Sequence, residues 1–140
     1  MAWDSQKAVE FLRKNAAGHS LGRCAHYVRE AIEAGGVTLL RHGSAKDYGQ
    51  SLTRVGFAAV ASDRTYVHQA GDVAIVQPIE GHPHGHMAMF DGVHWISDFV
   101  QWHGVYPGHS YREAKPAYQI YRYPLIWAGP DEVRQEGTVA

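Results

Sequence analysis

The sequence predicts an α+β domain in which N-terminal helices pack on a C-terminal antiparallel sheet. In the first third of the chain, apolar residues recur at helical spacing. After Gly56 the period shortens to that of strands, and Asp91-Gly92 lies between two strand-like runs, a strong hairpin signal. Helices first and antiparallel strands afterwards exclude a βαβ arrangement.

Each element has a local cause. Asp4 or Ser5 is placed to cap a helix whose apolar residues Ala8, Phe11, Leu12 and Ala16 share one face, with Gly18 as its end. A second helix begins near Arg23 or Cys24. Cys24, Tyr27, Val28, Ala31 and Ile32 follow helical spacing, and Gly35-Gly36 stops it. A shorter third helix is expected from the cap Ser44 past Tyr48 and Leu52 to Gly56. Strands are expected over 72–76, 86–90, 94–99 and 118–123. The domain is expected to occupy residues 1–128, with the polar, proline-containing segment 129–140 as a flexible tail.

A chain of 140 residues fits one domain, and such a domain buries roughly 70% of its unfolded surface, enough for a core without staples. Thirteen Lys and Arg against fourteen Asp and Glu leave a formal charge of −1, which argues against a general nucleic-acid binder. The single cysteine forbids an intramolecular disulfide and fits synthesis in a reducing compartment. The N-terminus lacks the apolar run of a secretory signal, and no stretch approaches the ~20 apolar residues of a membrane span.

Cys24 is the residue that asks for explanation. A lone cysteine is often an inert, buried small hydrophobe. This one stands where Gly22-Arg23 gives way to a helix, so free N–H groups, the helix dipole and the Arg23 cation would favour its thiolate. The same N–H groups suit an oxyanion. Its base should be a histidine on a separate element. Of ten histidines, His86 is the candidate, because it opens a strand after a Gly-His-Pro-His-Gly loop and can face a cleft. With a three-residue hairpin loop over 91–93, His86 would pair with Asp98, which would hold its tautomer. A two-residue loop would instead set Ser97 opposite His86 and turn Asp98 away. Asp91 is closer in sequence, but the turn itself accounts for an aspartate there.

A rival reading makes His82, His84 and His86 a metal cluster. Proline and glycine between them give a loop rather than a helix face, and no zinc motif such as H-E-x-x-H is present, so no metal site is assigned. Most aromatic residues read as packing. Tyr48, His68, Trp102 and Tyr106 are candidates for lining a substrate groove, with Arg23 beside the nucleophile.

These residues resemble a family. Leu-Gly-Arg-Cys-Ala-His-Tyr-Val-Arg (21–29), Gly-Asp-Val-Ala-Ile-Val (71–76) and Gly-His-Met-Ala-Met-Phe (85–90) are similar, in order and spacing, to papain-like peptidoglycan amidases of the CHAP and NlpC type. Trp-Ile-Ser-Asp-Phe (95–99) falls where that family has its third polar residue. Arg23 departs from the aspartate usual before the cysteine, so contacts from that position do not carry over. The resemblance implies a papain-like fold and a cysteine hydrolase that cuts amide bonds in cell-wall peptide stems or cross-links without a cofactor. Compact size and the missing signal look like type VI secretion amidase effectors. These are monomers made in the cytoplasm, act in a rival's periplasm and are countered by an immunity protein. A phage or prophage lysin shares the same core. An acyltransferase or transglutaminase with the same triad, or a binding module that hydrolyses nothing, are the readings from other classes.

Overall fold

The computed structural model describes residues 2–124. Helix α1 spans Ser5–Asn15, and Asp4 caps it by accepting from the Lys7 N–H at 3.1 Å. Helix α2 spans Cys24–Ala34 and gives way at Gly35. The expected third helix is divided. A 3₁₀ turn over Ala45–Asp47 precedes α3, Gly49–Arg54.

Six strands follow in one antiparallel sheet: β1 Ala58–Val60, β2 Val73–Val76, β3 His86–Phe90, β4 Trp95–Ile96, β5 Val100–Gln101 and β6 Tyr118–Arg122. A fourth helix, α4, spans His109–Ala114 between β5 and β6. The strand order is β1-β6-β2-β3-β4-β5, and every neighbouring pair runs antiparallel. Helices thus pack on an antiparallel sheet, the α+β architecture the sequence predicts. β2 and β3 lie mid-sheet and are buried along their whole length, which is why both read as near-continuous apolar runs.

The sheet has a core on each face. Val73, Ile75, Met87, Met89 and Ile96 point toward α1 and α2, against Leu12, Val28 and Ile32. Ala74, Ala88, Phe90, Trp95 and Ile120 form the other face, covered by Val60, Tyr66, Val105 and Tyr118. Buried Asp72 fixes that second cover. Its carboxylate accepts from the Tyr66 hydroxyl, the Gln69 N–H and the Arg122 guanidinium, the last at 2.8 Å through both Nε and a terminal nitrogen.

The β3–β4 hairpin differs from the three-residue expectation. Phe90 pairs with Trp95 and Met89 with Ile96, and the Asp91 N–H donates to the His94 carbonyl, so four residues make the turn. Asp91 causes this widening. Its carboxylate accepts from the Val93 and His94 amides and from Arg13, whose bond at 2.8 Å ties the turn to α1. The run 94–99 is also not one strand. The chain turns at Ser97–Phe99 and returns as β5, with Trp95 opposite Gln101 and Ile96 opposite Val100.

Candidate active site

Cys24 is the first residue of α2, and at the head of that helix the amides of its first turn have no helical carbonyl to bond. The backbone amides of Met87 on β3, of Ala25 and of Cys24 itself favour its thiolate. The Met87 contact joins the helix end to the strand that carries His86, one residue away. Burial nonetheless dominates the acidity. It pushes the half-buried thiol up to about 11, with the Asp98 charge adding to the rise. This reverses the sequence expectation of a resting thiolate, because loss of water outweighs the helix-end amides.

His86 stands at the start of β3 and is 7% exposed. The strand entry is fixed by backbone. Gly85 has φ +71°, and a Cβ there would collide with the Val76 carbonyl oxygen and crowd Lys46. The preceding residue is held as well, since the His84 carbonyl accepts from the Lys46 N–H and its ring bonds the Ser44 hydroxyl.

The expected partnership of His86 with Asp98 is not formed, because the four-residue turn and the bend at Ser97 change the register. Asp98 is buried in the β4–β5 turn, where one carboxylate oxygen accepts from the Leu21 N–H at 2.7 Å and the Arg23 N–H at 3.0 Å. It braces the loop that enters α2. The partner of His86 is Gln101, with its Oε1 2.7 Å from His86 Nε2. The orientation of that amide follows from its other bonds. Gln101 Nε2 donates to the carbonyls of Gly104 and Val105 at 2.9 and 3.0 Å, so Oε1 is the end left to accept. Nε2 of His86 therefore carries the proton, and Nδ1 keeps its lone pair. Burial holds the imidazole below its usual range, reinforced by His82 and opposed by the Gln101 bond and the Asp98 charge. The resting site thus pairs a neutral thiol with a neutral imidazole whose tautomer is set.

Tyr111 of α4 completes the wall. Its ring centroid lies 6.0 Å from that of His86 and 5.3 Å from that of His82. Beside it, Ile79, Glu80, His109, Ser110, Glu113 and Ala114 line a surface cavity of about 460 Å³.

The remaining sequence candidates are scattered. Tyr48 is 2% exposed in the helix-side core and its hydroxyl bonds the His42 backbone, so it lines no groove. His68 stacks on Phe90 and Trp95. Phe90 ends β3 about 13 Å from His86, so His68 lies at the wrong end of the strand. Arg23 is exposed immediately before Cys24. Trp102 is 71% exposed and packs on His94 at 4.5 Å, next in sequence to Gln101. The three loop histidines do not converge. His84 is bound to Ser44 and His86 to Gln101, and among the described residues no group of three His, Cys, Asp or Glu side chains is arranged to hold a metal ion.

Sequence reasoning passed over Gln101 and Tyr111. Gln101 is a lone amide between Val100 and Trp102, a polar residue in an otherwise apolar strand. The Ser110-Tyr-Arg-Glu113 spacing hints at a helix start nearby, although α4 begins at His109 behind Gly108 with no side-chain cap.

No protein-family model matches the chain, and no curated protein matches it. Solved structures do. The chain is similar to one in the native type VI effector–immunity complex Tae3–Tai3 from Ralstonia pickettii, with 52% identity and a TM-score of 0.81, covering 87% of this chain and all of that one. The selenomethionine form of that complex gives 53% identity and a TM-score of 0.78 over 83% and 99% of the two chains. Ly7917, crystallised with the hydrolysis product of MDP, is 18% identical with a TM-score of 0.53 over 85% of this chain and 63% of its own, a likeness of fold alone. Half the residues identical across the full length of the Ralstonia chain, on the same fold, mean that this chain belongs to the Tae3 family of type VI effectors.

Proposed function

We propose that this protein is a cysteine amidase that hydrolyses amide bonds in the peptide stems or cross-links of bacterial peptidoglycan. In this reading it is delivered by type VI secretion into a rival's periplasm and neutralised in the producer by a cognate immunity protein. The observation that carries the chemistry is that Cys24, at the open end of α2, feels the backbone amide of Met87, the residue next to His86, whose tautomer Gln101 sets. Membership of an effector family, with relatives in effector–immunity complexes, supports the biological setting. Among the described residues, no helix is long and apolar enough to cross a membrane.

The geometry supports the following sequence. As the Cys24 sulfur bonds to the scissile carbonyl carbon, its proton passes to His86 Nδ1 and the carbonyl π pair moves to oxygen. In this reading the Cys24 amide, at the head of the helix, donates to that oxygen. The intermediate collapses, the amine leaves with the proton from His86, and a thioester remains. His86 then takes a proton from water, the resulting hydroxide attacks the thioester, and the released sulfur recovers the proton. Because thiol and imidazole start neutral, charge appears only during reaction, where Gln101 Oε1 supports the forming imidazolium.

The test is digestion of purified peptidoglycan sacculi by the wild type and by Cys24→Ala, followed by mass spectrometry of the soluble muropeptides. Wild-type digestion should release fragments that differ by hydrolysis of one amide class, and Cys24→Ala should release none. Release by Cys24→Ala at the wild-type rate would refute the cysteine mechanism.

A further inference from the structure

We propose that Tyr111 is a catalytic residue of this site, its hydroxyl donating a hydrogen bond to the carbonyl oxygen of the amide under attack. The inference rests on the cysteine-hydrolase reading above and adds a substrate contact to it.

Two tyrosines are buried in the described chain, Tyr48 at 2% and Tyr111 at 5% exposed. They differ in what their hydroxyls do. Tyr48 donates to the His42 carbonyl, and the half-buried Tyr66 and Tyr106 likewise donate to Asp72 and to the Pro116 carbonyl. The Tyr111 hydroxyl has no partner among the described residues. A buried phenol without a partner is unfavourable unless something else satisfies it. The oxygen is not sealed off, however. The one fully enclosed side-chain polar atom without a partner among the described residues is Trp95 Nε1. Tyr111 therefore has a packed ring and an oxygen that opens outward.

Its surroundings say onto what it opens. The ring is flanked by the imidazoles of His82 and His86, which fixes its plane against the proposed base. The charge that Cys24 acquires on ionisation acts on the phenol, so the thiol belongs to the same neighbourhood. Burial, helped by that charge, raises the pKa of the phenol, so the group remains a donor through the working pH range. A rigid, buried donor beside His86, with no partner among the described residues, suits an acceptor that arrives with the substrate. The carbonyl oxygen of the attacked amide is such an acceptor, and its demand for a donor grows as negative charge develops.

Tyr111→Phe keeps the ring and removes only the hydroxyl. The chain has one cysteine, so alkylation by iodoacetamide reports on Cys24 alone and involves no developing oxyanion. In Tyr111→Phe the alkylation rate should stay within about twofold of wild type. Cleavage of purified cross-linked muropeptides should fall by roughly 10²-fold, carried by kcat. Wild-type kcat would overturn the assignment, as would alkylation falling in parallel with hydrolysis, because the hydroxyl would then act on the thiol or the fold. If the variant melts early, alkylation at the wild-type rate still certifies the pocket, and a selective loss of hydrolysis still supports the contact. Failure of the underlying reading looks different: the wild type itself would not cleave, or Cys24→Ala would.

Discussion

Replacing Gln101 by alanine tests the central geometry most directly. The change removes the acceptor for His86 Nε2–H and frees the Gly104 and Val105 carbonyls. In the resting state the lost bond joins two neutral groups and contributes about 1 kcal/mol, whereas a bond to a charged imidazolium contributes about 1.5–3 kcal/mol. Only the difference enters the barrier, roughly 0.5–2 kcal/mol, equivalent to a factor of about 2–30 in kcat/KM. There is a second signature. The Gln101 bond favours protonated His86, so its loss should lower the imidazole pKa further and move the acid limb of kcat/KM to lower pH. Gln101→Glu should do the opposite, since a carboxylate beside Nε2 raises that pKa and shifts the limb upward. The assay is muropeptide cleavage followed by chromatography between about pH 4 and 8, a range bracketing the ordinary histidine value of about 6.5. A Gln101→Ala protein with unchanged kcat/KM and an unmoved acid limb would refute the assignment of Gln101 as the residue that positions His86.

Three other outcomes follow from the same structure. Asp98→Asn keeps an oxygen for the Leu21 and Arg23 amides but removes a charge that raises the Cys24 pKa. Hydrolysis should fall less than about tenfold, and the pH midpoint of alkylation should drop below about 11; an unmoved midpoint would contradict the electrostatic account. Stability should also depend on pH through Cys24. Its folded pKa of about 11 lies above the ordinary 9.0, so the unfolded chain loses its proton first and stability declines between those values. Chemical denaturation should show that decline in the wild type and a smaller one in Cys24→Ala. Asp72→Ala strands Arg122 and the Tyr66 hydroxyl and should cost about 3 kcal/mol, read as a fall in the denaturation midpoint. Activity per folded molecule should persist, because Asp72 bonds Phe90 at the opposite end of β3 from His86.

What could be read in advance divides along physical lines. The long helices and β3 were legible because burial on one face imposes a period, and caps such as Asp4 and Gly35 mark the ends. Cys24 and His86 were legible as candidates for the same reason: each begins an element. Asp98 went astray through a single turn. Asp91 gathers two amides with its side chain and widens the hairpin to four residues, and no alternation of apolar residues encodes that. β1 and α4 are too short to show a period, and the role of Gln101 exists only once β5 folds back on β4. The acidity of Cys24 was misjudged because a helix end is visible in sequence and the depth of burial around it is not.

The close passage of Gly85 over Val76 has a consequence for how such a protein can diverge. The entry of the strand that carries His86 is fixed by contact between two stretches of main chain, so it does not depend on which side chains surround it. The loop before it, including Ile79 and Glu80 along the rim of the cavity, can therefore exchange its chemistry without moving that strand entry. Position 85 itself is closed to every residue with a side chain. Variation is thus confined to the rim of that cavity, while the start of the strand that carries His86 stays in place.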